Sequence, residues 1–195
     1  LFRRNVLKGK VEYRTISTEQ TDNQSDWRTL TPEALNSIVR KGKQEQITKN
    51  SPKTDIQEVI YSDATPKYDP IFEYLTHLPK WDGQNHVAKL FSRLPGISSE
   101  QLDFLVIWFR SAVAHWLQKD KLHANESVPT LIGAQGCGKS TFIARLLPPE
   151  LQEYYLDHLN LSNKFDKEMA LTNNLLVCLD ELEAIRPCQQ AALKQ

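Results

Sequence analysis

Cysteine is scarce in this chain and badly placed for metal or disulfide chemistry. Only Cys137, Cys178 and Cys188 occur, at no metal-ligand spacing, and two of them sit inside motifs that a disulfide would disrupt. A zinc site of paired thiolates is excluded, and a reducing cytoplasm is the expected compartment. The histidines His77, His86, His115, His123 and His158 also lack ligand spacing and read as structural. Excess charge of either sign is missing: 24 Lys and Arg balance 24 Asp and Glu. No global basic field therefore announces nucleic acid, and any contact with it must be local. Long apolar runs are missing too. The most apolar helical stretch, Leu102 to Leu117, is interrupted by Asp103, Arg110, Ser111 and His115, so it reads as a packed helix and not as a membrane span. The opening Leu-Phe-Arg-Arg-Asn has no apolar core of a signal peptide and no initiator Met, which points to a piece of a longer protein. There are no internal repeats, low-complexity tracts or lipidation signals. What remains, 40% hydrophobic and 25% charged residues, is ordinary for a globular protein.

Glycine is sparse as well, yet three of the seven copies fall at Gly133, Gly136 and Gly138. Gly133-Ala134-Gln135-Gly136-Cys137-Gly138-Lys139-Ser140 is a complete G-x-x-x-x-G-K-[ST] pattern. Before it, Val128 to Ile132 is a short apolar run of buried-strand character; after it, Thr141 to Leu147 has helical apolar spacing until Pro148-Pro149. Strand, loop and helix in that order suit a phosphate chain. Glycines let backbone N–H groups turn inward, the helix start adds partial positive charge, and Lys139 adds a full one. The phosphate-contacting set is Gly133, Ala134, Gln135, Gly136, Cys137, Gly138, Lys139, Ser140 and Thr141, with ATP as the nucleotide and Ser140 as a Mg²⁺ ligand. A chance match is the rival reading; average residue usage would give the pattern in roughly one chain in a hundred of this length. Cys137 has two readings: a thiolate favoured by a helix start, or simply a small residue in the loop.

A second motif follows. Leu175 to Leu179 is an apolar strand ending in Asp180-Glu181, the way a central parallel strand presents carboxylates to a bound nucleotide. Adjacent side chains leave a strand in opposite directions, so the two can serve different partners. Asp180 suits Mg²⁺, and Glu181 suits activation of a water attacking the γ-phosphate. The alternative is an acidic strand end that only begins a helix. A hydrolase fits better than a small-molecule kinase, because transfer to a hydroxyl must exclude the water that Glu181 is placed to recruit.

These motifs and their surroundings resemble the virulence-associated E family, P-loop ATPases of phages and mobile elements related to superfamily 3 primase-helicases. The resemblance runs from about Tyr68 onward. It is carried by Tyr74-Leu75-Thr76-His77-Leu78-Pro79-Lys80-Trp81-Asp82-Gly83, by Gly133 through Phe142, by Asp157-His158-Leu159-Asn160-Leu161 through Lys164, and by Leu179-Asp180-Glu181-Leu182-Glu183. Many relatives have a different acidic pattern where this chain has Asp180-Glu181. The resemblance implies an ATP-driven protein of DNA replication or mobilisation, helicase-like, working as a homo-oligomeric ring on single-stranded or forked DNA. A nucleotide-dependent switch or assembly scaffold is the rival from another class.

The expected architecture is α/β: a partial P-loop parallel sheet preceded by a mainly helical region and a small α+β module. The divisions are 1–66, with a basic amino-terminal hairpin turning at Lys8-Gly9; 67–125, helical; and 126–195, the first half of the ATPase domain. Arg3, Arg4, Lys8, Lys10 and Arg14, interleaved with Phe2 and Tyr13, form either a ribbon that tracks nucleic-acid phosphates or a solvated basic face. Thr31-Pro32 marks a helix start, and Ser98 with Gln101 forms a capping box before a helix whose core stripe is Leu102, Leu105, Val106, Phe109, Ala112, Val113, Trp116 and Leu117. Trp81-Asp82-Gly83 reads as a turn in which Asp82 initiates the next helix. A strand is expected near Glu153 to Leu156 and a helix from Lys164 to Leu171. Neither a γ-phosphate sensor nor an arginine finger can be placed, and Lys164 and Lys194 read as surface lysines, so the 195 residues alone are expected to be nearly inactive.

Overall fold

The computed structural model describes residues 1–15, 27–45, 52–119, 125, 127–159 and 164–179. The chain divides into two compact units, Leu1–Pro70 and Ile71–Gln195.

The first unit is a four-stranded sheet with two helices on one face. Strands β1 (Phe2–Asn5) and β2 (Lys10–Tyr13) form an antiparallel hairpin whose turn places Gly9 at φ 62°, a left-handed conformation glycine adopts without penalty. Strand β3 (Arg28–Thr29) pairs antiparallel with β2, and β4 (Lys67–Tyr68) pairs parallel with β1. The β4 residues lie beyond Pro66 and yet belong to this sheet. Helix α1 (Pro32–Gln44) starts as its sequence requires, with Thr31 Oγ1 accepting from Ala34 N at 3.2 Å and Pro32 in the first turn. Helix α2 (Lys53–Ile60) follows.

Cross-strand partners share a face, so the registers sort the side chains. Phe2 and Val11 face the helices, where Val11, Leu35, Val39 and Ile60 form a buried cluster flanked by Phe2, Leu30 and Ile56. The opposite face carries Arg3, Asn5, Lys10, Glu12 and Tyr68. It is held by polar chemistry. Arg3 Nε donates to Glu12 Oε2 at 2.7 Å, Asn5 Nδ2 donates to Glu12 Oε1 at 2.8 Å, and Asn5 Oδ1 accepts the N–H groups of Leu7 and Lys8 at 3.2 and 3.0 Å. The Arg3 guanidinium lies 3.4 Å from the Tyr68 ring centroid and 4.3 Å from that of Trp27. Arg3 thus departs from the solvated reading of the hairpin: its side chain is 14% exposed and Glu12 only 6%.

The second unit begins with helices. Helix α3 is Pro70–Thr76, α4 is His86–Phe91 and α5 is Ser99–Trp116. Both halves of the α5 capping box form: Gln101 N donates to Ser98 Oγ at 3.2 Å, and Ser98 N donates to Gln101 Oε1 at 3.0 Å. Leu105 and Ala112 are buried, the rest of the expected stripe is half-buried, and α4 packs on α5. The Trp-Asp-Gly turn works differently from the sequence reading. Asn85 caps α4, its Oδ1 accepting from Ala88 N at 3.0 Å, while Asp82 closes the turn before it. Asp82 Oδ1 accepts from Gln84 N at 3.0 Å, His86 Nε2 lies 3.0 Å from both carboxylate oxygens, and Gly83 takes φ 85°. The unit continues through α6 (Lys139–Ala144), a 3-10 turn Pro149–Tyr154, β5 (Tyr155–Leu156), α7 (Lys164–Asn173) and β6 (Leu176–Val177). Strands β5 and β6 pair in parallel. Among the described residues, no helix is long and apolar enough to cross a membrane.

Two measurements probe these arrangements. Glu12→Ala leaves the Arg3 charge without its carboxylate in a nearly closed site and should lower stability by about 3 kcal/mol in urea denaturation; a loss within about 0.5 kcal/mol would return Arg3 to the solvated reading. The N–H that Gln84 donates, opposed by slight burial and then aided by His86, holds the Asp82 carboxyl below its ordinary range. A depressed folded value means that its stabilisation is present above the ordinary carboxylate range and is lost as pH falls through the folded value. An NMR titration should place the Asp82 midpoint below that of the same carboxyl in the urea-unfolded chain, with the Gln84 amide following it; equal midpoints would remove the hydrogen bond.

Candidate functional site

The glycine-rich segment forms a tight loop at the head of α6. Gly136 and Gly138 take φ 77° and 87°, where a Cβ would be strained, and Gly138 serves as the N-cap of α6. Its carbonyl accepts the first helical bond, from Phe142 N at 2.9 Å. Lys139, the first residue of the helix, folds its side chain back over the loop: Nζ donates to the carbonyls of Gly133 and Ala134 at 2.8 and 2.9 Å and lies 3.8 Å from Cys137 Sγ. A Cβ on Gly133 would come within 3.2 Å of that sulfur, so the missing side chain lets the loop close on itself. The loop is open to solvent from Gly133 to Gly138, and so are Ser140 and Thr141, while Lys139 is half-buried.

Helix α6 has six residues, too few to hold a position unaided. Two ties fix it. On one flank the Phe142 ring lies 6.2 Å from Phe91, which is 2% exposed and sits edge-on to Phe109 at 6.1 Å. Phe109 in turn meets Trp116 at 6.1 Å and Trp108 at 6.3 Å, so α6 rests on the α4–α5 pair. At the other end Gln152 Nε2 donates to the carbonyls of Ala144 and Leu147 at 2.8 and 2.6 Å, satisfying acceptors that a helix end leaves open. Leu147, Leu151 and Tyr154 are buried beneath that end. The approach to the loop is pinned as well: Trp108 Nε1 donates to Ser127 O at 3.0 Å, and Asn125 Nδ2 donates to Trp108 O at 3.3 Å.

The expected strand before the loop does not form. Val128 to Ile132 runs without regular structure, with Val128 74% and Ile132 95% exposed. A strand exists only through a neighbour's N–H and C=O groups, and among the described residues β5 and β6 pair with each other and none pairs with this segment. Pro129 removes one donor besides. The strand expected at Glu153 to Leu156 shrinks to Tyr155–Leu156, because the preceding residues wind into the 3-10 turn. The acidic strand is present as β6, extended by Leu175 N and Cys178 N donating to Tyr154 O and Leu156 O at 2.9 and 2.8 Å. Asp180 and Glu181 lie outside the described residues, as do Cys188 and Lys194.

The structure therefore brings Gly133, Ala134, Cys137, Gly138 and Lys139 together through the Lys139 contacts and gives Ser140 and Thr141 the first turn of α6. Sequence reasoning missed Asn85, Gln152 and the Phe91–Phe142 contact. Asn85 carried a legible signal, a capping residue directly before an apolar helical run. The other two join segments that no local pattern links.

Two glycine substitutions should move stability in opposite directions. Gly138→Ala forces a Cβ into the left-handed region and should cost roughly 1–2 kcal/mol. Gly42→Ala, inside α1 with nothing within 4 Å of the added Cβ, should stabilise by about 0.5–1 kcal/mol. Thermal unfolding of both variants checks the pair; a neutral Gly138→Ala would remove the left-handed cap.

Comparison with known families gives one match: the virulence-associated protein E-like domain, over residues 75–195. No curated protein matches the chain. The matched span contains the glycine loop, α4 to α7 and the parallel pair β5–β6, and it covers more than half of the sequence. The chain belongs to the virulence-associated protein E-like domain family.

Proposed function

We propose that this chain binds ATP and supplies part of the site of an ATP-hydrolysing protein that acts on DNA in the replication or mobilisation of a phage or mobile element, in the manner of a ring-forming helicase. The observation that carries the nucleotide reading is the closed loop itself. Gly136 and Gly138 take left-handed angles, and Lys139 Nζ rests 2.8 and 2.9 Å from the Gly133 and Ala134 carbonyls at the head of α6. That arrangement sets a cation beside a glycine loop at the start of a helix, the residue types a chain of phosphates requires. Family membership supports the mobile-element part of the reading.

On this reading Gly133 through Thr141 hold the phosphates, and the Lys139 ammonium moves from the loop carbonyls to phosphate oxygens. Ser140 and Asp180 would hold Mg²⁺, whose charge offsets that of the phosphates when it is bound. Glu181 orients water toward the γ-phosphate and takes its proton. The solvent-facing Lys139 contacts with carbonyls suit such a transfer, since exchanging one set of acceptor oxygens for a more strongly charged one needs only side-chain rotation.

Lys139→Ala should weaken binding of a non-hydrolysable ATP analogue at least tenfold in calorimetry, because one charge-assisted phosphate contact is worth roughly 1.5–3 kcal/mol; unchanged affinity would take the site away from this loop. Glu181→Gln keeps shape and loses the carboxylate, so binding should survive while phosphate release falls roughly a hundredfold or more. Near-normal turnover in that variant would leave Glu181 as the start of a helix. Turnover stimulated by single-stranded DNA separates a motor from a switch.

A further inference from the structure

We propose that Trp108 is a positioning residue of the glycine loop. Its indole N–H holds the chain entering the loop to α5, the same helix that holds the chain leaving it, and so raises the loop's affinity for a nucleotide's phosphates. This role rests on the nucleotide reading of the loop and not on the DNA part of that reading.

Three observations carry it. First, the entering chain is tied to one point of α5 by two bonds of opposite sense. Trp108 Nε1 donates to Ser127 O at 3.0 Å, and Asn125 Nδ2 donates to Trp108 O at 3.3 Å. One bond would let the segment pivot; two bonds from residues two apart fix its direction as well as its place. Second, the leaving chain is referred to the next residue of the same helix. Phe142 of α6 lies 6.2 Å from Phe91, which meets Phe109 at 6.1 Å, and the Phe109 ring lies 6.3 Å from that of Trp108. Helix α5 is a firm reference, because it is eighteen residues long, starts in a capping box, and buries Leu105 and Ala112 before and after Trp108. Third, the loop's own closure is temporary on the nucleotide reading. Lys139 Nζ joins the leaving chain to the entering one through the Gly133 and Ala134 carbonyls, at 2.8 and 2.9 Å, and that bridge is given up when the ammonium turns to phosphate. Gly136 and Gly138, which lie between, resist bending least, having no Cβ. Once Lys139 has turned, α5 holds the two ends relative to each other, and the entering end is fastened at Ser127, six residues before Gly133. Without that bond the nucleotide has to order the entering chain itself, which weakens its binding. An indole that only filled space beside Phe109 would be replaceable by Phe at no cost to nucleotide affinity.

The test uses the full chain and a non-hydrolysable ATP analogue with Mg²⁺, by calorimetry at a temperature where circular dichroism shows each variant folded. Trp108→Phe keeps a ring, loses the N–H, and should weaken the analogue about three- to tenfold, the net worth of one hydrogen bond. Asn125→Ala lies outside α5 and should weaken it in the same direction, which decides the matter where Trp108→Phe fails to fold. Trp81→Phe removes an indole N–H whose bond, to Gln84 O at 3.0 Å, stays within its own turn, and should leave affinity unchanged. Because coupling is reciprocal, saturating analogue should slow hydrogen exchange of the Trp108 indole N–H, the NMR signal missing in Trp108→Phe, by about the same factor. A space-filling role moves stability but not this exchange. Wild-type affinity in folded Trp108→Phe or in Asn125→Ala, or an indole exchange rate that the analogue leaves alone, overturns the proposal. So does a loss in Trp81→Phe as large as that in Trp108→Phe. Analogue binding that Lys139→Ala abolishes and Trp108→Phe leaves intact keeps the nucleotide site and overturns the positioning role alone, whereas no binding by the unaltered chain overturns both.

Discussion

The position of the glycine loop depends on how α6 is anchored, by Phe142 on Phe91 at one flank and by Gln152 at its far end, because α6 is too short to define its own direction. Phe91 ends the equally short α4, is 2% exposed and meets Phe109 of α5, so two six-residue helices borrow their order from one eighteen-residue helix. The loop's conformation is a separate matter. Left-handed glycines and the Lys139 fold-back set it locally, while the aromatic cluster and Gln152 decide where it stands. A loop built in this way can keep its shape while its surroundings change.

The amino-terminal unit solves the two faces of one sheet by different physics. One face excludes water with Val11, Leu35, Val39 and Ile60, which is the cheaper solution wherever helices are at hand. The other is organised by a buried carboxylate that serves Arg3 and Asn5 together, with rings stacked on the guanidinium. A buried ion pair is weak evidence of stability on its own, since desolvation offsets much of its attraction. Its plainer effect is to fix side chains that would otherwise be mobile.

Local signals were legible wherever the chain acts on its near neighbours. The Thr31 cap, the Ser98 capping box, the α5 stripe and the glycine loop all depend on residues three or four apart, and all appear where the sequence places them. Asp82 shows the limit of such reading. It was assigned the start of α4 because acidic residues suit helix starts, but Asn85 is one residue from the helix and Asp82 four, so the nearer side chain caps and the farther one closes the turn. Val128 to Ile132 fails for a different reason. Apolar β-character is a statement about burial on a sheet, and without a paired neighbour it describes only an exposed run.

The amino-acid sequence by itself determined the glycine loop, the Thr31 and Ser98 caps and the apolar stripe of α5, since each is written in residues close together in the chain. Tertiary structure alone decided that Arg3 would be neutralised by Glu12 and not solvated, that β4 would join the first unit, that Gln152 would close the end of α6, and that Phe91 would seat Phe142. Those outcomes couple residues from five to more than sixty positions apart. Which of many chemically suitable partners meet is settled by packing, and packing is a property of the folded chain as a whole.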